Sequence, residues 1–208
     1  MNTQLTLKKI FNAYPLVEGK CLPDNLSSIA ENIVSRKEEI FPGSDFDAGY
    51  DYIANDWKGY HDYVCLEKFP QLSFMLEAVA ESLELIGDDY TKYFFKSWIN
   101  IWPKGQTIGY HKHYGTWHGN FVIRDTGTLT YYASSELPGD REVVALKNFN
   151  GHFVFMPGHI WHWGQKNTSS TLRISSAFNL STWDEVLLEE KESHPKIKDV
   201  VLPLKDYI

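Results

Sequence analysis

Two histidines separated by one residue, His111 and His113, stand about fifty residues upstream of a third, His162, which is set between Trp161 and Trp163. Six of the eight histidines in the chain fall between His111 and His162, so they are clustered rather than scattered. On an extended strand residues i and i+2 project to one face, so His111 and His113 can aim two imidazoles at one point. A third imidazole from a distant strand can then complete one face of an octahedral metal site with open positions. Any single histidine is more often a hydrogen-bonded core or surface residue; the three in this order and spacing point to a metal. Downstream, Arg173 and Ser175 share one strand face with Ala177 and Asn179, while Leu172, Ile174, Ser176, Phe178 and Leu180 make the other. A guanidinium and a hydroxyl two residues apart on a packed strand can grip a carboxylate. The plainer accounts, an arginine snorkelling from an edge strand or one paired to a structural acid, lose ground beside a metal site.

The elements that must position these side chains are short. From residue 92 the hydrophobic period is two, with Tyr93, Phe95, Ser97, Ile99 and Ile101 alternating with Phe94, Lys96, Trp98, Asn100 and Trp102. Asn100 therefore lies among tryptophans, an unusual place for an amide that bonds to nothing. Further strands are expected at 107–113, 119–123, 128–133, 142–146, 152–156, 160–164 and 171–180, separated by turn residues such as Asp125-Thr126-Gly127, Leu137-Pro138-Gly139-Asp140 and Phe149-Asn150-Gly151. Short strands at roughly ten-residue spacing predict an antiparallel sandwich or jelly roll.

Upstream, the spacing predicts a short strand over 5–17 ending at Pro15. It also predicts an amphipathic helix from Pro23-Asp24 to Pro42-Gly43, capped by Asp24 or Ser27, and a second helix from Pro70 to Gly87. Residues 43–66 read as a loop, within which 55–61 are a lid candidate or an aromatic-anchored surface loop. The tail from Trp183 reads as a helical turn and an extended end. The chain of 208 residues is expected to be one domain, with a helical N-terminal elaboration over 1–91, a β core over 92–183 and a tail over 184–208.

The formal net charge of -7, with no basic run, argues against nucleic acid as the main partner. Cys21 and Cys65 have no metal-ligand spacing and suit free thiols in a reducing compartment. No apolar run approaches a membrane span and the first ten residues lack a leader-like core, so the expected address is cytoplasmic with no membrane partner. A homodimer through the N-terminal helices is conceivable.

The segment resembles the Fe(II)/2-oxoglutarate-dependent oxygenase superfamily, and most of all its branch with Trp-x-Asn, His-x-His in place of His-x-Asp, Phe-x-x-Pro before the distal histidine, and Arg-Ile-Ser. The matching residues are Trp98-Ile99-Asn100, His111-Lys112-His113, Phe153-Val154-Phe155-Met156-Pro157 followed by His162, and Arg173-Ile174-Ser175 running to Phe178-Asn179. The resemblance covers 92–183 and is faint upstream. It implies a double-stranded β-helix, His111, His113 and His162 as iron ligands, Arg173 on the distal carboxylate of 2-oxoglutarate, and Ser175 and Asn100 as helpers. It implies consumption of O2 and 2-oxoglutarate, release of succinate and CO2, and hydroxylation of a peptide or protein side chain or of a small metabolite, the peptide being favoured by analogy alone.

The absence of a carboxylate at position 113 leaves alternatives open: His113 ligates, or it stands behind a water or another acid such as Asp125. His118 and His159 are competing ligands, and Tyr110, Trp117 and Trp161 are expected as pocket walls. Two other readings remain: a cupin-like metalloenzyme without 2-oxoglutarate, and a non-enzymatic β-sandwich binding module.

Overall fold

The strand with the clearest alternation, β3 (Phe94–Trp102), divides its residues between two environments. Phe95, Ile99 and Ile101 are each 1% exposed and join the largest apolar cluster, whereas Trp98, Asn100 and Trp102 turn to the opposite face and line a cavity. The computed structural model describes residues 2–40, 65–136, 141–192 and 201–208. Of the loop expected over 43–66, residues 43–64 with the lid candidate at 55–61 lie outside the described residues, as does the turn at 137–140, whereas 65 and 66 open a short helix instead.

Two antiparallel sheets face each other, as the jelly-roll reading predicts. In chain order the remaining strands are β1 (Asn2–Ile10), β2 (Tyr14–Leu22), β4 (Trp117–Arg124), β5 (Leu129–Ala133), β6 (Val143–Lys147), β7 (His152–Pro157), β8 (Trp161–Gly164), β9 (Arg173–Ser181) and β10 (Leu202–Pro203). The larger sheet has the order β1-β2-β7-β4-β9-β3-β10 and the smaller β6-β5-β8. The helices α1 (Leu26–Ser35), α2 (Lys37–Ile40), α3 (Cys65–Lys68) and α4 (Phe74–Ile86) precede β3, and α5 (Trp183–Glu192) follows β9.

The larger sheet buries one face against helices. In α4, Met75, Leu76, Val79 and Leu83 fall on one stripe, all at 3% exposure or less, and the helix lies over β1 and β2. Gly87, at φ 80°, ends it in the left-handed conformation that glycine adopts without strain. Phe153, Phe155 and Phe178 fill the same layer, and full burial of each contributes about 1.5–3 kcal/mol. A Cβ at Gly119 would sit 2.1 Å from the Phe178 ring, so glycine there is what lets the ring lie flat on β4.

The first 22 residues differ from the expected single strand. β1 and β2 form a hairpin whose turn places Phe11 and Asn12 at φ 54° and 52°. Pro15, read as a stop, is tolerated inside β2 because β2 pairs with β7 only from Val17 onward, so its missing N–H faces no partner there. The first helix breaks at Arg36, and its N-cap is Asn25 with no side-chain cap bond, rather than Asp24 or Ser27. The tail holds ten residues of helix in α5 rather than a single turn, capped by Thr182 with Glu185, and then pairs β10 with β3. Cys21 is a buried free thiol, pushed up to about 12 by burial and therefore unreactive. Among the described residues no helix is long and apolar enough to cross a membrane.

Candidate metal centre

The inner faces of the two sheets meet around a cavity of about 50 Å³. The larger sheet supplies Trp98, Asn100 and Trp102 from β3, His118 and Asn120 from β4, Val154 and Met156 from β7, and Arg173, Ser175 and Ala177 from β9. The smaller sheet supplies Thr130, Tyr132, His162 and Gly164, and the segment before β4 brings His111 and His113. Every one of the predicted site residues Asn100, His111, His113, His162, Arg173 and Ser175 reaches this cavity.

The expected strand over 107–113 is not a strand. His111 makes a single antiparallel bridge to β8, its N–H donating to the His162 carbonyl at 3.0 Å and its carbonyl accepting from His162 N–H at 2.8 Å. The His113 N–H then donates to the Gly158 carbonyl at 2.9 Å, so a sparse ladder to the 158–164 stretch replaces continuous pairing. The two imidazoles nevertheless converge, and the candidate ligand atoms of His111, His113 and His162 all lie within 4.8 Å of one another.

Hydrogen bonding decides which nitrogen each ring offers. The Nδ1–H of His111 donates to the Gly109 carbonyl at 2.8 Å, and that of His162 to the Ile160 carbonyl at 3.0 Å. A carbonyl only accepts, so both rings carry their proton on Nδ1 and present the Nε2 lone pair. Nε2 of His113 is buried with no protein partner. Burial and the neighbouring imidazoles hold His113 and His162 well below the usual histidine range, and burial also lowers His111. The rings are therefore neutral at pH 7, the state a metal ligand requires. A buried nitrogen left unpartnered is costly unless something binds it, so the donor set fits a divalent metal.

His118 belongs to the cluster but not to the ligand set. Its ring lies flat on His113, with centroids 3.7 Å apart and an 8° interplanar angle, so it offers a face, not a lone pair, to its neighbour. Its Nδ1–H donates to Asn179 Oδ1 at 3.0 Å, and burial takes it down to about 3 against that bond. His159 is exposed and packs edge-on against Tyr14 at 4.9 Å, outside the cluster. Asp125 is committed to its own turn, accepting from the Gly127 and Thr128 N–H groups and from Thr128 Oγ1, and does not line the cavity.

Arg173 is the one cationic side chain lining the cavity among the described residues. It is 4% exposed, lies over the Trp102 ring at 5.1 Å, and its Nε has no hydrogen-bond partner. Burial pulls it down to about 10, with Asp125 and Tyr132 opposing, so it stays a cation at pH 7. Ser175 and Asn100 face each other across β3 and β9, with Asn100 Nδ2 to Ser175 Oγ at 3.5 Å and Asn100 Oδ1 unpartnered.

The expected pocket walls need correction. Trp117 points into the helix-side core and donates Nε1–H to Asp88 at 2.9 Å. Tyr110 and Trp161 stack on each other at 4.7 Å and do not line the cavity. Trp98, Trp102 and Tyr132 are the aromatic walls, and for the two tryptophans the alternation of β3 carries that signal.

No protein-family model matches the chain, and no curated protein matches it. Solved structures do share its fold. They include a non-heme α-ketoglutarate-dependent epimerase, SnoN, from nogalamycin biosynthesis, with a TM-score of 0.58 at 10% identity over 83% of this chain and 80% of that one. AviO1 from Streptomyces viridochromogenes Tue57 gives 0.56 at 13% identity, over 81% of this chain and 90% of that one. A Pseudomonas putida prolyl-4-hydroxylase gives 0.51 at 15% identity, over 82% and 90%. At these identities the likeness establishes the fold, a double-stranded β-helix.

Proposed function

We propose that this chain is an iron(II)- and 2-oxoglutarate-dependent oxygenase. The observation that carries the reading is the buried Arg173, its Nε without a partner, lining the same cavity as three imidazoles whose candidate ligand atoms lie within 4.8 Å of one another. A buried cation that makes no ion pair among the described residues calls for an anionic ligand, and a metal chelator with a second carboxylate satisfies both features at once. The shared fold with α-ketoglutarate-dependent enzymes supports it.

In this reading His111, His113 and His162 hold the metal through Nε2, and the carbonyls of Gly109 and Ile160 keep two of those rings in the required tautomer. Arg173 binds the distal carboxylate of 2-oxoglutarate, with Ser175 and Asn100 beside it. Trp98, Trp102, Tyr132 and Met156 keep water from the reacting centre. Iron(II) with 2-oxoglutarate supplies oxidation of a substrate C–H bond by O2, one oxygen atom entering the substrate and the other the succinate released with CO2. No side chain need act as a separate general base. The similar structures include both an epimerase from nogalamycin biosynthesis and a prolyl-4-hydroxylase, so the fold by itself does not choose the substrate.

The set of three imidazoles with no carboxylate favours a second reading, a cupin-like metalloenzyme that does not use 2-oxoglutarate. Anaerobic titration of the iron(II)-loaded protein with 2-oxoglutarate separates the two. The expected result is one iron per chain and a visible charge-transfer band, with 2-oxoglutarate affinity roughly 30-fold or more weaker in Arg173→Ala, since truncating one partner of a buried charged pair costs about 2–5 kcal/mol. Iron binding without a band supports the second reading. Failure to bind iron rules out both.

A further inference from the structure

Arg173 is not alone in burying an N–H without a partner. Trp102, directly opposite it in the β3–β9 pairing, is 2% exposed and lines the same cavity, and its Nε1 has no hydrogen-bond partner among the described residues. An indole N–H only donates, and when buried it ordinarily finds an acceptor. Trp117 shows the ordinary case, its Nε1–H donating to Asp88 at 2.9 Å. Two neighbouring donors, Arg173 Nε and Trp102 Nε1, therefore stand without an acceptor on one wall of the cavity, the guanidinium 5.1 Å from the centre of the indole ring. Thr130, on the facing sheet, is the obvious hydroxyl to serve beside Arg173, but its proton is committed elsewhere. Asp125 Oδ1 only accepts, so it takes the Thr128 hydroxyl proton at 2.9 Å. Thr128 Oγ1 then accepts from Asn148 Nδ2 at 3.0 Å, which turns Asn148 Oδ1 toward Thr130. That oxygen accepts the Thr130 hydroxyl proton at 3.2 Å, and Thr130 keeps only lone pairs for the cavity.

Resting on the oxygenase reading, we propose that Trp102 is a specificity-determining residue for the co-substrate, its indole N–H donating to the distal carboxylate of 2-oxoglutarate alongside Arg173. A 2-oxoacid with a methyl group in place of that carboxylate would leave both donors buried without an acceptor, so the pair selects a chain that ends in an anionic oxygen. The indole is neutral. It adds a directed hydrogen bond and no further charge to a wall where Asp125 already acts on Arg173 from a distance.

The test compares two 2-oxoacids of the same chain length, 2-oxoglutarate and 2-oxopentanoate, the second ending in a methyl group. Each is titrated anaerobically into the iron(II)-loaded wild type and Trp102→Phe, following the charge-transfer band. Trp102→Phe keeps an aromatic face beside the guanidinium and removes the donor. The affinity for 2-oxoglutarate should fall about 10–100-fold, the loss expected of a hydrogen bond to a charged group, while that for 2-oxopentanoate is unchanged. Equal affinity for 2-oxoglutarate in the two proteins, or an equal loss for both acids, overturns the proposal and leaves Trp102 a wall. A wild type that forms no band with 2-oxoglutarate fails at the earlier step, and the oxygenase reading falls with this one. A second measurement needs no variant that might not fold: in proton–nitrogen correlation spectra of the zinc-loaded wild type, the Trp102 indole N–H resonance should move downfield with 2-oxoglutarate and not with 2-oxopentanoate. An indole resonance that responds alike to both acids, or to neither, overturns the proposal as well.

Discussion

His113 sits outside any strand, so little in the backbone fixes its ring. What fixes it is contact: His118 lies parallel to it at 3.7 Å, Trp98 approaches at 5.5 Å, and His118 is itself held by Asn179 across the β4–β9 pairing. Removing the buttress should let the ring rotate and weaken the metal. His118→Ala is expected to lower metal affinity about 10–100-fold, the usual effect of losing a residue that orients a ligand. His118→Phe, which keeps a flat face, should retain most of it. Equilibrium dialysis against iron(II) or zinc reads both, and equal affinity in wild type and His118→Ala would show that stacking does not orient His113. At this scale the sequence was informative where chemistry recurs at fixed spacing. The convergence of His111, His113, His162 and Arg173 on one cavity is legible because residue types suited to metal and carboxylate binding recur there two residues apart or on facing strands. The stacking of His118 and the inward turn of Tyr132 could not, because they depend on which residue of β4 faces which of β9, and of β5 which of β8, and cross-strand register leaves no local mark.

The element that presents His111 and His113 is held by few bonds, and one glycine makes its approach possible. Gly158 donates its N–H to the Thr116 carbonyl at 2.9 Å and accepts from His113 at 2.9 Å. A Cβ at Gly158 would lie 2.0 Å from the Gly115 carbonyl oxygen, a backbone atom that cannot swing aside. Thr116 is also anchored from the other direction, its Oγ1 donating to both oxygens of Glu185 at the start of α5, at 2.9 and 2.8 Å. Gly158→Ala therefore must part the 113–116 segment from the turn before β8. Thermal unfolding should show a loss of about 1–3 kcal/mol, with metal affinity lowered alongside. Gly109→Ala, whose Cβ would meet nothing within 4 Å, should stay within about 0.5 kcal/mol of wild type. If the two variants behave alike, close backbone approach at Gly158 is not what sets the ligand segment. The same segment shows why some elements were legible and others not. β3, β4 and β9 carry period-two patterns because each is buried differently on its two faces, and the pattern survives in the sequence. Residues 107–113 have alternating character too, but a strand also needs a partner edge, and β8 offers them only four residues. The N-terminal hairpin is illegible for the opposite reason: Pro15 looks like a terminator unless the β7 edge is known to stop short of it, where no N–H is needed.

Across the whole molecule, acid should open the structure at two ties far apart in sequence. Glu18 on β2 accepts from His152 on β7 at 3.1 Å and from Lys8 at 2.9 Å, joining the N-terminal hairpin to the rest of the larger sheet. The bond from His152 dominates, burial opposes it, Lys8 adds to it, and the carboxyl falls to about 2 from an ordinary 4.5. Asp88, just past α4, accepts from Lys92, from the Tyr93 hydroxyl at 2.6 Å and from Trp117 Nε1 at 2.9 Å, tying the helix layer to β4. Burial pushes its carboxyl up, but the three hydrogen bonds outweigh it and hold it at about 2 from an ordinary 3.8. Both groups bind protons more readily unfolded than folded. Their stabilisation is complete above about pH 4.5 and is lost as pH falls toward 2. The buried imidazoles add a higher limb in the metal-free protein: His118, at about 3 when folded against an ordinary 6.5, stays neutral while the unfolded chain takes up its proton. Stability should therefore begin to fall below about pH 6.5 and fall further between 4.5 and 2. Urea denaturation of metal-free protein across pH 2–8 reads the profile. In the double variant Glu18→Gln with Asp88→Asn, stability at pH 7 should drop by roughly 1–2 kcal/mol per site, and the lower limb should flatten while the upper one persists, since only the carboxylates have been removed. A lower limb of unchanged slope would mean that the acid-labile ties are elsewhere. A vanished upper limb would mean that the imidazole cluster is not buried in the neutral form, and the metal centre built on that neutrality would have to be abandoned with it.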